Sequence, residues 1–364
     1  MIESITLANF KSFGEEQTIP LEPITVLVGP NNSGKSNFMS VARFLGNVAL
    51  TDVSVAAQQE GKFLLHAPPS GDGTCSIGWK TPESQYSFQL SPSISVLSEY
   101  ATDPDGVPFS LAYGKVFVRG REHSGYLHKG GLAIHEMRSW NPPFHLFKTP
   151  WKSFSNTKSV KLSLTALRGD AEVIPNPEIG LDGRGLAAVL GLWRGAEPEK
   201  VNALNGFLTR CLPELKDVLV RPAPVPGHQR LWFRQKDGLE FDAEHVSDGV
   251  LAFTALAMHA LSSESGQLLC IEEPEQSIHP KRLRELVDLL KDLVRERGCQ
   301  FIIATHSTVL LNVFRDELEA ILLFRRTDKG TRVKRLSDVP ELVEDLQKTP
   351  PGDLLETGAF STAF

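Results

Sequence analysis

Residues 29–36 read Gly-Pro-Asn-Asn-Ser-Gly-Lys-Ser, which satisfies the pattern G-x-x-x-x-G-K-[ST]. The chemistry this spacing allows is phosphate binding. Glycines let successive backbone N–H groups curl around phosphate oxygens. A helix that begins at the loop offers unpaired donors and the positive end of its dipole to the same anion. In such a loop Lys35 neutralises the β- and γ-phosphates of a bound ATP, and the Ser36 hydroxyl ligates Mg²⁺. Gly29, Pro30, Asn31, Asn32, Ser33, Gly34, Lys35, Ser36 and Asn37 are the expected nucleotide-binding residues.

Three further groups are positioned to act with that loop. Leu268-Leu269-Cys270-Ile271-Glu272-Glu273 is an apolar run that ends in two carboxylates. Ligand sites of parallel sheets lie at the carboxyl ends of strands. Adjacent strand residues point to opposite faces, so the two acids can divide the work. Glu272 is assigned to the Mg²⁺ shell, and Glu273 to general-base or water-positioning chemistry. Phe301-Ile302-Ile303-Ala304-Thr305-His306-Ser307 is a second buried run, and its end places His306 near the γ-phosphate or the attacking water. His245-Val246-Ser247-Asp248-Gly249 opens a helix, where a Ser cap and free N–H groups form another anion site. Ser-Asp-Gly is equally a common cap or turn, so this last signal is weak when taken alone.

These residues need a particular set of elements behind them. Residues 1–10 alternate apolar and polar and read as an edge or antiparallel strand. Ile24–Val28 reads as a buried strand, followed by the loop and by a helix over about Ser36–Leu45. Residues 50–165 are punctuated by Gly, Pro and Ser between short strand-like runs such as Tyr86–Leu90 and Lys115–Val118. Residues 184–219 read as helical, broken near Gly195 and Pro198. Arg221–His228 reads as a turn or linker, and a hairpin is expected around Asp237-Gly238. From Asp248 the pattern is α/β. A helix runs to about Leu261, a strand spans Gln267–Ile271, a helix Pro280–Arg297 and a strand Gln300–Ala304. A short helix follows Thr308, and a pair of strands covers Ala320–Arg325 and Arg332–Leu336. The expected organisation is an N-terminal half of an ATPase head at 1–48, an inserted β-rich lobe at 49–165, a helical lobe and connector at 166–240, and the C-terminal half of the head at 241–364.

Composition sets the outer bounds. The chain has 364 residues, 38 Lys plus Arg against 44 Asp plus Glu, and a formal charge of −6. A strongly basic, histone-like binder is excluded, although a local basic patch is not. Cys75, Cys211, Cys270 and Cys299 lie far apart, which suggests neither a zinc site nor a disulfide framework. No apolar run approaches the roughly 20 residues that cross a bilayer, and the N-terminus carries no signal-peptide pattern. A cytoplasmic protein without membrane contact is expected.

The order of the four signals resembles the ABC-type ATPase heads of the SMC, RecF and OLD class. Ala8-Asn9-Phe10-Lys11-Ser12-Phe13, the loop through Asn37, Ile271-Glu272-Glu273-Pro274-Glu275-Gln276-Ser277-Ile278-His279-Pro280 and Ala304-Thr305-His306-Ser307 are especially similar to the small AAA/OLD-like prokaryotic ATPases. The similarity is good over about 1–46 and 240–325, and looser at Leu181–Leu190. It implies a P-loop head with a mostly parallel core sheet, an antiparallel β lobe and an inserted β-rich and helical region. It also implies a homodimer, or a higher homo-oligomer, with two ATP molecules sandwiched between heads. Ser247, Asp248 and Gly249 of one subunit would then cap the γ-phosphate held by the other. Glu275, Gln276 and Ser277 would sit at the family's D-loop and reach across the dimer. Three departures stand out. Glu272 replaces the more usual Asp, and Ser-Asp-Gly replaces the transporter-type Ser-Gly-Gly. The Mg²⁺-sensing glutamine has no evident place, with Gln58 or Gln59 as the assignment by distance along the chain.

Fewer than 200 residues separate the two halves, without heptads, so no long coiled-coil arm is expected. Only 58 residues follow His306, too few for the TOPRIM nuclease domain of full OLD proteins. A nuclease or toxin activity is therefore expected on a separate chain. The leading expectation is an ATPase switch or sensor that controls such an effector in prokaryotic anti-phage defence. The alternative is a RecF-like repair ATPase that binds DNA directly. A transporter subunit fits the motifs poorly. Residues 115–168 carry ten basic and two acidic residues interleaved with aromatics. Two readings remain for that segment: a surface for nucleic acid or an acidic partner, or a solvated lobe with its own aromatic core.

Overall fold

The computed structural model describes residues 1–61, 64–67, 69, 71–102, 109–112, 115–118, 121–122, 132, 154, 157–276 and 278–364. Most of the basic, aromatic segment, including Lys148, Lys152, Trp140 and Trp151, lies outside the described residues, as does Ser277.

The first third of the chain contributes β1 (Ser4–Ala8), β2 (Gln17–Pro20), β3 (Ile24–Val28), α1 (Lys35–Leu50) and α2 (Val53–Gln59). Six strands follow: β4 (Cys75–Lys80), β5 (Gln85–Leu90), β6 (Val96–Thr102), β7 (Phe109–Ala112), β8 (Lys115–Val118) and β9 (Arg121–Glu122). Next come β10 (Lys158–Val160), α3 (Leu164–Arg168), β11 (Ala171–Glu172), α4 (Leu186–Ala196) and α5 (Pro198–Cys211). The remaining elements that bear on the site are β12 (Leu215–Pro222), β13 (His228–Gln235), β14 (Glu240–Asp242), α6 (Asp248–Leu261), β15 (Leu268–Glu272), α7 (Pro280–Arg297), β16 (Gln300–Ala304), α8 (Thr308–Val313), β17 (Ile321–Thr327) and β18 (Gly330–Arg335).

Three sheets result. The central one has the order β10-β15-β16-β3-β17-β18, parallel throughout except for the β17–β18 hairpin. Its middle strands are buried along almost their whole length because both faces are covered. Alternation still sorts them. Val26, Val28, Leu269, Ile271, Phe301 and Ile303 enter one core with α4, α5, α6 and α7. Leu27, Leu268, Cys270 and Ile302 enter a second core with α1, α2 and the antiparallel sheet. That second sheet runs β2-β1-β4-β5-β6-β7-β8-β9. The third is a small antiparallel sheet of β11, β13, β12 and β14.

Helix ends follow local chemistry. In α7, Leu283, Leu286, Val287, Leu290 and Leu293 are buried at helical spacing. The helix starts on the His279 side-chain cap with Pro280 in its first turn and stops at Gly298 in the left-handed conformation. Ser247 caps α6.

The mixed α/β fold, the parallel core around β3, and the helices at Asp248–Leu261 and Pro280–Arg297 agree with the sequence expectation. Four details differ. The first helix continues to Leu50. Residues 215–219 are not helical; they open β12, where Leu215 and Val218 are buried against β13. β1 is antiparallel, one of the two alternatives read for it, but it is interior rather than an edge, because β2 and β4 pair on either side of it. The limits at 48/49 and 165/166 fall inside α1 and α3. β1 and β4 pair directly, so the antiparallel sheet joins the N-terminus to 75–102, and β10 belongs to the central sheet.

Cys75, Cys211, Cys270 and Cys299 are all buried and free. Burial pushes the Cys75 and Cys270 thiols up to about 12, so they act as small apolar groups.

His259 on α6 is buried and its Nε2 has no hydrogen-bond partner. Burial, with a smaller push from Lys158, lowers its pKa to about 4. In the unfolded chain a histidine titrates near 6.5. As pH falls from about 6.5 to about 4, the unfolded state takes a proton that the folded state refuses, so stability drops across that window. The full effect is about 3 kcal/mol. Denaturant unfolding of wild type and His259→Phe at pH 7 and pH 4 checks this. The wild type should lose about that much more than the variant.

Candidate functional site

β3 ends at the phosphate loop, and β15 and β16 end on the same edge of the central sheet. Parallel strands with in-register ends bring the loop, the two carboxylates and the histidine together from distant parts of the chain.

The loop is braced from beneath. Gly34 has φ +107°, and a Cβ there would lie 2.2 Å from Thr331 Oγ1 and 2.9 Å from Ser12 Oγ. Only glycine fits that conformation and that gap. Thr331 Oγ1 donates to the Ser33 carbonyl at 2.9 Å and lies 2.8 Å from Ser12 Oγ. Ser12 belongs to the Asn-Phe-Lys-Ser-Phe segment, whose role thus becomes visible. Asn9 and Lys11 adopt positive φ. Phe10 and Phe13 then pack on Phe44 and Phe38 of α1, at 5.8 and 6.2 Å between ring centroids. Lys11 and Arg43 share the buried Glu60 carboxylate, each at 2.7 Å. Burial alone would raise the Glu60 pKa, but the two cations hold it below the usual carboxylate range.

Lys35 is buried, and its Nζ donates to the carbonyls of Gly29 at 2.6 Å and Pro30 at 3.1 Å. Burial lowers its pKa, opposed by the charges of Glu273 and Glu275. A buried ammonium with neutral acceptors, in a loop with no room for side chains, fits a nucleotide phosphate. Ser36 Oγ lies 3.5 Å from Glu272 Oε2. A hydroxyl and a carboxylate at that spacing suit a hard divalent cation that keeps water and phosphate oxygens in its shell.

Glu273 is one of the few non-glycine residues with positive φ, +48°. Its N–H donates to the Ala304 carbonyl at 2.8 Å, which ties the end of β15 to the end of β16. Gln276 Nε2 donates to its carboxylate. Glu273, Glu275, Gln276 and His306 line an open cavity of about 400 Å³ with Pro30 and Asn31 of the loop. Burial, then the charge of Lys35, lowers the His306 pKa below the usual imidazole value, so the ring is neutral at pH 7.

The residues assigned from the family resemblance have these neighbours within one chain. Glu275 accepts from Thr305 Oγ1 at 2.9 Å and from the His306 N–H at 2.6 Å. Gln276 is held by Glu273. Both side chains are engaged within their own chain. Gln58 and Gln59 are exposed on α2. The group found beside Glu272 is instead Lys161, with Nζ 3.7 Å from Glu272 Oε2. The sequence missed it because the neighbour is set by the pairing of β10 with β15.

Ser247, Asp248 and Gly249 are not part of this cluster. Ser247 caps Val250 N, and Asp248 pairs with Arg168 at 2.5 Å. Ser247 and Asp248 are exposed. Of the basic segment, Lys158 pairs with Glu178 at 3.3 Å, and Phe154 is fully buried 4.8 Å from Trp79. Phe154 is therefore core rather than a stacking surface. No helix among the described residues is long and apolar enough to cross a membrane.

Comparison with known proteins agrees with this fold. Residues 1–66 match the AAA ATPase domain family. An OLD nuclease from Thermus scotoductus is 23% identical over 363 residues, covering 92% of this chain. The chain spans 63% of that relative's length. Among solved structures, an SMC head bound to the C-terminal winged-helix domain of ScpA superposes with a TM-score of 0.54 at 16% identity, covering 92% of this chain and 97% of that one. An SMC head from Pyrococcus furiosus, with an extended coiled coil and bound to the C-terminal domain of ScpA, gives 0.52 at 14% identity, covering 95% and 99%. The fold is thus that of a P-loop head of the SMC and OLD kind. Residues 119–312, just over half of the chain, match the family described as "AAA domain, putative AbiEii toxin, Type IV TA system", and the chain belongs to that family.

Proposed function

We propose that the chain binds and hydrolyses ATP with Mg²⁺, closes as a homodimer around two nucleotides, and thereby switches a separate effector, a nuclease or toxin, in prokaryotic anti-phage defence. The observation that carries this reading is the cluster at one sheet edge: Lys35 and Ser36 of the loop, Glu272 beside Ser36, and Glu273 with His306 across the cavity. Lys35 and the loop N–H groups would hold the phosphates. Ser36 and Glu272 would hold Mg²⁺, which supplies charge neutralisation at the β- and γ-phosphates. Glu273 would orient and deprotonate the attacking water, with neutral His306 contacting the γ-phosphate. Ser247 and Asp248 lie exposed outside their own cluster, which suits residues that complete a neighbour's site.

Dimer closure and the effector role draw support from the relatives. The OLD relative is named a nuclease, and the family description names a toxin of a toxin–antitoxin system. The test is the solution mass of Glu273→Gln by light scattering, with and without Mg-ATP. An ATP-dependent rise in mass is the expected result. A mass indifferent to ATP would remove the nucleotide-driven switch.

A further inference from the structure

The metal side of the site holds a cation of its own. β10 pairs with β15 in parallel register, Val160 opposite Ile271. The next residues along, Lys161 and Glu272, therefore project from the same face of the sheet. Val160 and Ile271 both enter the core on one face, so Lys161 and Glu272 emerge on the other, where α1 begins. The backbone of Lys161 is fixed by its N–H, which donates to the Leu181 carbonyl at 2.9 Å. One oxygen of Glu272 then lies 3.7 Å from Lys161 Nζ and 3.5 Å from Ser36 Oγ. Glu272 is 16% exposed and Lys161 62%, so the carboxylate is held while the ammonium stays free to swing.

A lysine ammonium is a compact charge with three donors on a flexible stem. At this position it faces the same carboxylate that a divalent cation would use, and that carboxylate in turn faces Ser36, the residue that follows Lys35 in the loop. We propose that Lys161 is a nucleotide-site residue: it supplies a resident positive charge at the metal side of the phosphates, so the chain binds ATP without Mg²⁺ and depends on Lys161 to do so. The inference rests on the nucleotide-binding reading above and extends it to a residue outside every motif. With Mg²⁺ present, the divalent ion supplies the charge and the dependence on Lys161 fades.

The test is equilibrium binding of a fluorescent ATP analogue in EDTA and in excess Mg²⁺, for wild type, Lys161→Ala, Lys161→Gln and Lys161→Arg. One partly screened charge beside a phosphate is worth about a decade of affinity. In EDTA, Lys161→Ala and Lys161→Gln should bind about tenfold more weakly than wild type, and Lys161→Arg within about threefold. In Mg²⁺ all four should agree within about threefold. Lys161 is exposed, so the substitutions should leave folding intact, which circular dichroism of each variant checks. Equal EDTA affinities for wild type and Lys161→Ala would overturn the inference while leaving the nucleotide site standing. A wild type that binds no analogue under either condition would overturn the nucleotide reading and this inference with it.

Discussion

Glu273→Gln should lower ATP turnover by about 10²- to 10⁴-fold, the range that a general base contributes, with ATP affinity changed no more than a few-fold. The amide keeps the size of the carboxylate and still offers an oxygen to Gln276 Nε2, so the hydrogen bond seen there survives. What it loses is the capacity to take a proton from water. A second variant separates chemistry from scaffold. Glu273 sits at φ +48°, which costs a non-glycine residue about 1–2 kcal/mol, and such outliers concentrate where function demands them. Glu273→Gly removes that strain but adds about 0.5–1 kcal/mol of backbone freedom to be lost on folding. The glycine variant should therefore be as stable as wild type, or more stable by up to about 1.5 kcal/mol, and equally inactive. Phosphate release, equilibrium binding and denaturant unfolding read the three quantities. Turnover near the wild-type rate in Glu273→Gln would take the base role away from this residue.

The distance between what sequence and structure each reveal can be traced to individual residues. β15, β16 and α7 were readable because their signals are local: uninterrupted apolar runs, a proline start and a glycine stop. The same holds for the phosphate loop, where eight consecutive residues carry the chemistry. β12 was misread because Leu215–Pro222 follows two helices directly, and only its pairing with β13 settles its conformation. Ser12 and Thr331 carry no motif of their own. They matter because folding places them under Gly34 from 22 residues before it and nearly 300 after it. Lys161 is the sharpest case. Its neighbour Glu272 is over 100 residues away in sequence, so strand register alone reveals the contact. Glu275 shows the converse. The family resemblance puts it at a turn that would face a second subunit, and within its own chain its carboxylate accepts from Thr305 and from the His306 N–H. It thereby fixes the backbone that carries the histidine.

Mixing two inactive chains should restore activity if the site is completed across a dimer. Lys35→Ala removes the phosphate cation from one loop. Ser247→Arg places bulk and positive charge where the neighbour's γ-phosphate would be capped. Ser247 is exposed and its cap accepts one N–H, from Val250 at 3.5 Å, so its loss costs about 1 kcal/mol of helix stability. Each variant alone should turn over ATP at least about 100-fold more slowly than wild type, consistent with loss of transition-state charge stabilisation. Ser247→Arg should still bind ATP in its own loop. In a symmetric dimer each site pairs the loop of one chain with the Ser-Asp-Gly segment of the other. A heterodimer of the two variants then has one site with both lesions and one with neither. With random exchange, half of the dimers are mixed, and each mixed dimer has one of two sites intact. Turnover in a 1:1 mixture should therefore recover to about a quarter of wild type. If Ser247 acted on its own loop, every site in the mixture would carry a lesion and no activity would return. Recovery would also establish a dimer in solution without any structural probe, because neither chain can supply the second half of the site to itself.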